Sequence, residues 1–257
     1  MSDAESGSNT YEDPERAASY ATLGYPGTYW LAFRDLPSLI ERHVSGRRRA
    51  LDFGCGAGRS TRFLQGLGFD VVGVDVSRSM LERARARDPE GRYVLVADGP
   101  GRPDDEAPGG LADVVAPGSL SLVLCAYPFD NIPGREKRAG ILGSLARLLE
   151  PDGRVIVLAS SPELYRHEWL SFTTAAFPEN RRAGSGDPVR IVMKDVPDAR
   201  PVPDYLWTDD DYRSMAAAAG LRVLETSRPL GRDDEPFDWV TETAVAPWVI
   251  HVMARAG

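Results

Sequence analysis

Short apolar runs bounded by turn residues alternate along this chain with stretches in which apolar side chains recur at helical spacing. The runs at Ala50–Leu51, Val71–Val74, Tyr93–Val96, Leu120–Ala126, Val155–Ala159, Leu221–Thr226 and Trp248–Met253 predict strands. Phe63, Leu64 and Leu67 share a helix face that Gly68 ends. Ser77 caps a second helix with Met80, Leu81 and Ala84 inward, and Asp88-Pro89 stops it. A short helix is expected near Leu111–Val115. Ile141, Leu142, Leu145, Leu148 and Leu149 predict another, followed by a turn at Pro151-Asp152-Gly153. Thr208-Asp209-Asp210-Asp211 opens a further helix, with a capping residue and acids at the positive end of its dipole, and Gly220 closes it. Strand followed by helix, repeated, implies an α/β fold with a parallel sheet and right-handed crossovers.

Two stretches break this rhythm. Tyr11–Val44 is dense in aromatics, with Tyr20, Tyr29, Trp30 and Phe33 among them. It reads either as a helical cap packed on the domain or as a lid with Tyr20 or Tyr29 reaching a ligand. Ser161–Trp207 is too long for a plain connection, and its apolar residues are too scattered for a core of their own. The expected organisation is a disordered tail over 1–10 and one domain over 11–257. Within that domain, 11–44 is a helical lid and 161–207 an insertion over the substrate edge.

The chemistry is concentrated in Asp52-Phe53-Gly54-Cys55-Gly56-Ala57-Gly58, which joins the first strand to the first helix of the repeat. The glycines let the backbone turn sharply and let a ligand approach the helix amides. Their spacing is G-x-G-x-G, unlike the G-x-G-x-x-G of dinucleotide folds. Asp52 would repel a pyrophosphate and attract an ammonium or sulfonium. Asp75 ends the second strand about 20 residues on, where a carboxylate can take both hydroxyls of a ribose. A site that wants a ribose on one side and a cationic amino acid on the other fits S-adenosylmethionine.

Asp52–Gly58 closely resembles the first motif of class I S-adenosylmethionine-dependent methyltransferases, and Val72-Gly73-Val74-Asp75-Val76-Ser77 resembles their second. The resemblance implies a three-layer, doubly wound, Rossmann-like fold with seven strands, mostly parallel, the last antiparallel beside the fifth. It implies S-adenosylmethionine as cofactor, held by Asp52, Gly54, Cys55, Gly56, Gly58 and Ser60, by Asp75 with Val76 and Met80, and by Tyr20 or Tyr29 from the lid. Asp98, followed by Gly99, matches the family's adenine-facing acid; the plainer reading is an aspartate in a turn.

Charge and cysteine usage narrow the partners. A net charge of -8 disfavours nucleic acid and anionic membranes, and this points to a small-molecule acceptor. The two cysteines, Cys55 and Cys125, have no metal spacing and suggest a reducing compartment. With no apolar targeting or spanning segment, a cytoplasmic location is expected. No metal-ligand pattern is present, and no oligomeric state is implied. Ala126-Tyr127-Pro128-Phe129 departs from the Asn-Pro-Pro-Tyr signature of amino-methylating nucleic-acid enzymes. The alternatives are a nucleic-acid or protein methyltransferase, or a protein that binds S-adenosylmethionine without transferring its methyl.

The acceptor should sit beyond the carboxyl ends of the strands. A base is needed only if the acceptor must shed a proton early. His167, Tyr127 and Asp130 are the catalytic candidates. His167 suits proton transfer near neutrality, although a histidine in a long loop is more often plain surface. Asn131 could orient an acceptor or cap the next helix.

Overall fold

The computed structural model describes residues 10–24, 26–97 and 110–256. The tail expected over 1–10 lies, apart from Thr10, outside these residues. A 3-10 turn at Thr10–Glu12 leads into helices α1 (Pro14–Ala21) and α2 (Gly27–His43). The repeat then runs β1 (Arg49–Phe53), α3 (Arg59–Gly66), β2 (Asp70–Asp75), α4 (Arg78–Arg87), β3 (Arg92–Leu95), α5 (Leu111–Val114), β4 (Leu120–Ala126), α6 (Arg135–Leu148) and β5 (Leu149–Ser160). Three short strands follow, β6 (Phe172–Thr173), β7 (Pro188–Met193) and β8 (Val202–Tyr205), and the chain closes with α7 (Asp209–Ala218), β9 (Leu221–Ser227) and β10 (Trp248–Arg255).

The main sheet has seven strands in the order β3-β2-β1-β4-β5-β10-β9. Its strands are parallel except β10, which runs antiparallel to both β5 and β9. β4 is buried at every position from Leu120 to Cys125, as a strand covered on both faces must be. One face carries α2 and α3 through Leu31, Leu36 and Leu64. The other carries α6 and α7 through Leu142, Leu145, Tyr212 and Met215. These helices make the outer layers of a three-layer α/β fold.

Pro151-Asp152-Gly153 does not turn the chain out of the sheet. β5 is continuous, and the extra residues are absorbed as a register shift: Leu120 pairs with Leu149, whereas Leu122 pairs with Arg154. Gly153 permits it, since a Cβ there would lie 2.6 Å from the Leu120 carbonyl oxygen.

The 161–207 stretch contains a regular element that its Pro-rich composition concealed, an antiparallel sheet in the order β6-β7-β8. Trp169, Phe172 and Ile191 join the same core as α2 and β10. Glu242, fully buried in the β9–β10 connection, ties these pieces together. One oxygen accepts from Thr28 Oγ1 (2.5 Å) and the Leu170 amide (2.8 Å), and the other from the Val240 and Thr241 amides (2.9 and 3.0 Å). Every donor is satisfied by one carboxylate, so its burial is supported by hydrogen bonds.

Candidate active site

β1 ends in Asp52 and Phe53, and all three glycines that follow are left-handed, with φ of 72° at Gly54, 52° at Gly56 and 78° at Gly58. Two of them are also forced by crowding. A Cβ on Gly54 would lie 2.5 Å from Pro128 Cβ, and one on Gly58 would lie 2.6 Å from the Tyr93 hydroxyl. Gly56 differs: nothing lies within 4 Å of where its Cβ would be. Its glycine leaves open space where a ligand can approach the backbone.

The loop is fixed from below. Gly54 and Cys55 donate their amides to the Val74 carbonyl at 2.8 and 3.0 Å. Asp75 accepts from the Gly56 amide through Oδ2 and from the Ser77 amide through Oδ1, both at 2.8 Å. Each Asp75 oxygen keeps a second lone pair for a further donor. Burial raises the Asp75 pKa, against the pull of those amides. Ser77 in turn caps α4, accepting from the Met80 amide at 3.3 Å.

Asp52 is fully buried and only half satisfied. Its Oδ2 accepts from Ser60 Oγ (2.7 Å) and Thr61 Oγ1 (2.6 Å), while its Oδ1 has no hydrogen-bond partner. Burial is the chief reason its pKa rises from 3.8 to about 6. A buried carboxylate oxygen without a donor is costly, and a cationic or N–H ligand group would relieve it. Ser60 and Thr61 lie in the first turn of α3, whose N-cap, Gly58, supplies no side-chain bond. The amides of a helix's first turn point outward along its axis and suit an anionic group.

Above the loop lies a narrow cavity of about 30 Å³ that opens to solvent. Gly54, Cys55, Gly56, Ala57, Arg59 and Ser60 floor it, and Tyr20, Ala21, Leu23 and Phe33 of the N-terminal segment line it as well. Arg59 bridges the two sides. Its guanidinium donates to the Gly24 carbonyl at 2.8 Å and lies 5.8 Å from the Tyr20 ring, 5.0 Å from Tyr29 and 5.5 Å from Phe33.

Tyr20 and Tyr29 take different places. Tyr20 lines the cavity, its hydroxyl 3.5 Å from Arg59 Nη2. Tyr29 is buried in the core, its hydroxyl donating to Met193 Sδ at 3.2 Å and its ring stacked on Trp248. Met80 is buried against Ala17, Ala21 and Ala57, and Val76 is partly buried. Asp98 and Gly99 lie outside the described residues.

A second cluster forms where β4 and β5 end. Tyr127, the one non-glycine residue at positive φ (70°) among the described residues, turns the chain into the 3-10 segment Pro128–Asn131. Pro128 abuts Gly54, so this segment borders the glycine loop. The Tyr127 ring packs on Trp248 and edge-on against Tyr29. Asp130 points inward, accepting from the Ser160 amide (3.1 Å) and Ser160 Oγ (2.7 Å). Asn131 caps no helix. It donates instead to Asp204 Oδ1 at 2.6 Å, and Tyr165 donates to Asp204 Oδ2 at 3.0 Å. Burial is the leading cause of the raised pKa at both acids, to about 6 at Asp130, and each acid lies within the electrostatic reach of Arg138. Arg138 is fully buried, its guanidinium donating to the Phe129 and Ile132 carbonyls.

His167 is elsewhere. It sits on the insertion with a half-exposed ring, 3.1 Å from Glu163 Oε2 and edge-on to Trp169. The structure therefore gathers Asp52, the glycines, Cys55, Ser60, Asp75 and Tyr20 in one place and Tyr127 and Asp130 beside it. His167 and Tyr29 do not line the cavity. Asp204 and Arg59 were not anticipated. Asp204 had one faint signal: Val202 and Asp204 alternate with exposed Pro203, so both face inward along β8.

The open Gly56 position, the unpartnered Asp52 oxygen and the spare acceptors of Asp75 are a donor and acceptor set that S-adenosylmethionine fits. A model of the methyltransferase domain matches residues 51–155. The chain is 33% identical over 159 residues to a ubiquinone biosynthesis O-methyltransferase of Burkholderia vietnamiensis, covering 57% of this chain and 62% of that one. It is 29% identical over 178 residues to an 18S rRNA (guanine-N(7))-methyltransferase of Schizosaccharomyces pombe, covering 69% of this chain and 59% of the relative. The matched regions thus span less than two thirds of these relatives. A solved S-adenosylmethionine-dependent methyltransferase from Clostridium acetobutylicum superposes with a TM-score of 0.59 at 14% identity, over 97% of this chain and all of its own length, a likeness of fold. Family match, strand order and glycine-loop chemistry agree: residues 51–155 match a methyltransferase domain, and the chain has the fold of S-adenosylmethionine-dependent methyltransferases.

Proposed function

We propose that this protein moves the methyl group of S-adenosylmethionine to a small molecule whose reacting atom carries a proton. The observation that carries the reading is the unpartnered, fully buried Oδ1 of Asp52 under a roofed cavity. When bound, S-adenosylmethionine supplies an electrophilic methyl on a positively charged sulfur. Asp52 would hold its ammonium, Asp75 its ribose, the α3 amides its carboxylate, and Asp98 with Gly99 its adenine. Tyr20 and the rest of the N-terminal segment exclude water, which strengthens these polar contacts.

Asp130 is the proposed base. It lies two residues beyond Pro128, which abuts Gly54, and its pKa, raised by burial to about 6, leaves it ionised yet proton-accepting near neutrality. His167 is assigned no part in proton transfer, since its half-exposed ring is paired with Glu163 and does not line the cavity. Tyr127 would wall the acceptor side.

A polymer acceptor is the second reading, favoured by the rRNA methyltransferase relative. The net charge of -8 and the small roofed cavity weigh against it. Among the described residues no helix is long and apolar enough to cross a membrane. The two buried free cysteines support a cytoplasmic location. Methyl-labelled S-adenosylmethionine incubated with protein and a cell extract decides between the readings. Label in the low-mass fraction supports a metabolite acceptor, and label in RNA or protein overturns it.

A further inference from the structure

The segment that roofs the cavity is held down in an unusual way. α1 buries little apolar surface: Ala17 and Ala21 meet Ala57 and Met80, with Tyr11 and Tyr20 partly buried at the edge. A helix of eight residues with so small a footprint is not anchored by packing. Its anchors are polar, and the most extensive come from a segment far away in sequence, the tip between β7 and β8.

Two arginines and two aspartates make that link. Asp13 caps α1, its Oδ1 accepting from the Glu15 amide at 2.9 Å. Its other oxygen accepts from Arg200 Nη1 at 2.6 Å. Arg200 also grips Asp198 with two parallel bonds of 2.8 Å. Asp198 completes the circuit. Its carboxylate lies 3.5 Å from Arg16 Nε, and its amide donates to Ser19 Oγ at 2.9 Å. Arg16 also donates to the Pro201 carbonyl at 3.1 Å. Hydrogen bonding from Arg200 is the main reason the Asp198 carboxyl is held down at about 2, so the circuit stays charged across the physiological range.

We propose that this Asp13–Arg200–Asp198–Arg16 clasp is the latch of a lid, with α1 its moving part and the insertion its catch. Closed, it sets Tyr20 and Ala21 over the glycine loop. Released, it frees α1, whose small apolar footprint costs little to expose, and the cavity opens for ligand exchange. Arg200 is half exposed, so salt weakens the latch. The inference rests on the reading that the cavity binds S-adenosylmethionine.

The test is the rate at which S-adenosylhomocysteine leaves the full-length protein, followed by stopped-flow tryptophan fluorescence between 50 and 500 mM NaCl. Roughly, one such cluster of exposed ion pairs sets a rate change of about fivefold. Wild type should release the ligand faster as salt rises. R200E, which sets a carboxylate against Asp13 and Asp198, should release it about fivefold faster at low salt and lose most of the salt dependence, while R200K keeps both near wild type. Equal rates and equal salt slopes in R200E and wild type overturn the latch. Hydrogen exchange of the α1 amides in the ligand-free protein is the independent readout. Faster exchange over 14–21 in R200E, with the main sheet unchanged, supports the latch, and unchanged exchange overturns it. If S-adenosylhomocysteine does not bind wild type at all, the cofactor reading fails, and the exchange result alone judges the clasp.

Discussion

The glycine-loop half of the molecule and the half made of the N-terminal segment and residues 161–207 are stabilised by different physics. In β1–α3–β2–α4 the chemistry is local. Asp52 is met by Ser60 and Thr61, and Asp75 by Gly56 and Ser77, all within some 20 residues in sequence. In the other half the contacts that join its segments are long-range. Thr28 meets Glu242, Asp13 meets Arg200, and Asn131 meets Asp204. The first half is a preformed cradle, and the second closes only once distant segments have been brought together. Within the second half, the exposed Asp13–Arg200 pair is cheap to break and the buried Glu242 knot is not.

Substitution should separate the two halves. The largest effect is expected at Glu242. Glu242→Ala strands the buried Thr28 hydroxyl, removes the acceptor of three part-buried amides and should lower folding stability by about 3 kcal/mol or more. Chemical denaturation measures this, and Glu242→Gln should recover part of it. A loss below about 1 kcal/mol would mean that the insertion is held by apolar packing alone.

The glycines give the next contrast. Gly54→Ala combines a left-handed backbone with a 2.5 Å clash against Pro128, so both stability and S-adenosylhomocysteine binding should suffer. Gly56→Ala meets open space and should cost the fold only about 1–2 kcal/mol for its conformation, while binding falls sharply. Calorimetric titration, with NAD as control, and thermal melts of both variants check the split. Intact binding in Gly56→Ala would move the ligand off the loop.

Asp52 predicts a pH dependence. Its folded pKa is raised, from 3.8 to about 6, so the folded protein holds this proton more tightly than the unfolded chain. In the free protein its contribution to stability is therefore present below pH 4 and is lost as pH rises through about 6. A bound ammonium favours the ionised form, so S-adenosylhomocysteine affinity should instead rise with pH across that window. Asp52→Asn should weaken binding by roughly tenfold to a hundredfold at pH 7.5 and flatten the profile. A variant profile that still rises would assign the effect to Asp75.

The smallest effect is expected at His167. His167→Ala should leave S-adenosylhomocysteine affinity unchanged and shift stability by less than about 0.5 kcal/mol, as exposed sites usually do. Once an acceptor is identified, turnover of His167→Ala should match wild type, whereas Asp130→Asn should lose the ionisation near pH 6 from the rate profile. A strong loss at His167 would return the base to the insertion.

The order of strands and helices, the caps at Ser77 and Thr208 and the glycine loop with Asp52 and Asp75 were determined by the sequence alone. Each depends on residues close in the chain, where spacing is geometry: a period of two or of 3.6 residues, a glycine where φ must be positive, a hydroxyl one turn before an amide. The β6-β7-β8 sheet, the burial of Tyr29, the Asp130–Asp204 pair, the Glu242 knot and the clasp on α1 were decided only by tertiary structure. Pro-rich segments with two- to six-residue strands carry little periodic signal. A carboxylate such as Asp204 or Glu242 looks like surface until a partner nearly forty or more than two hundred residues away supplies the donor that makes burial possible.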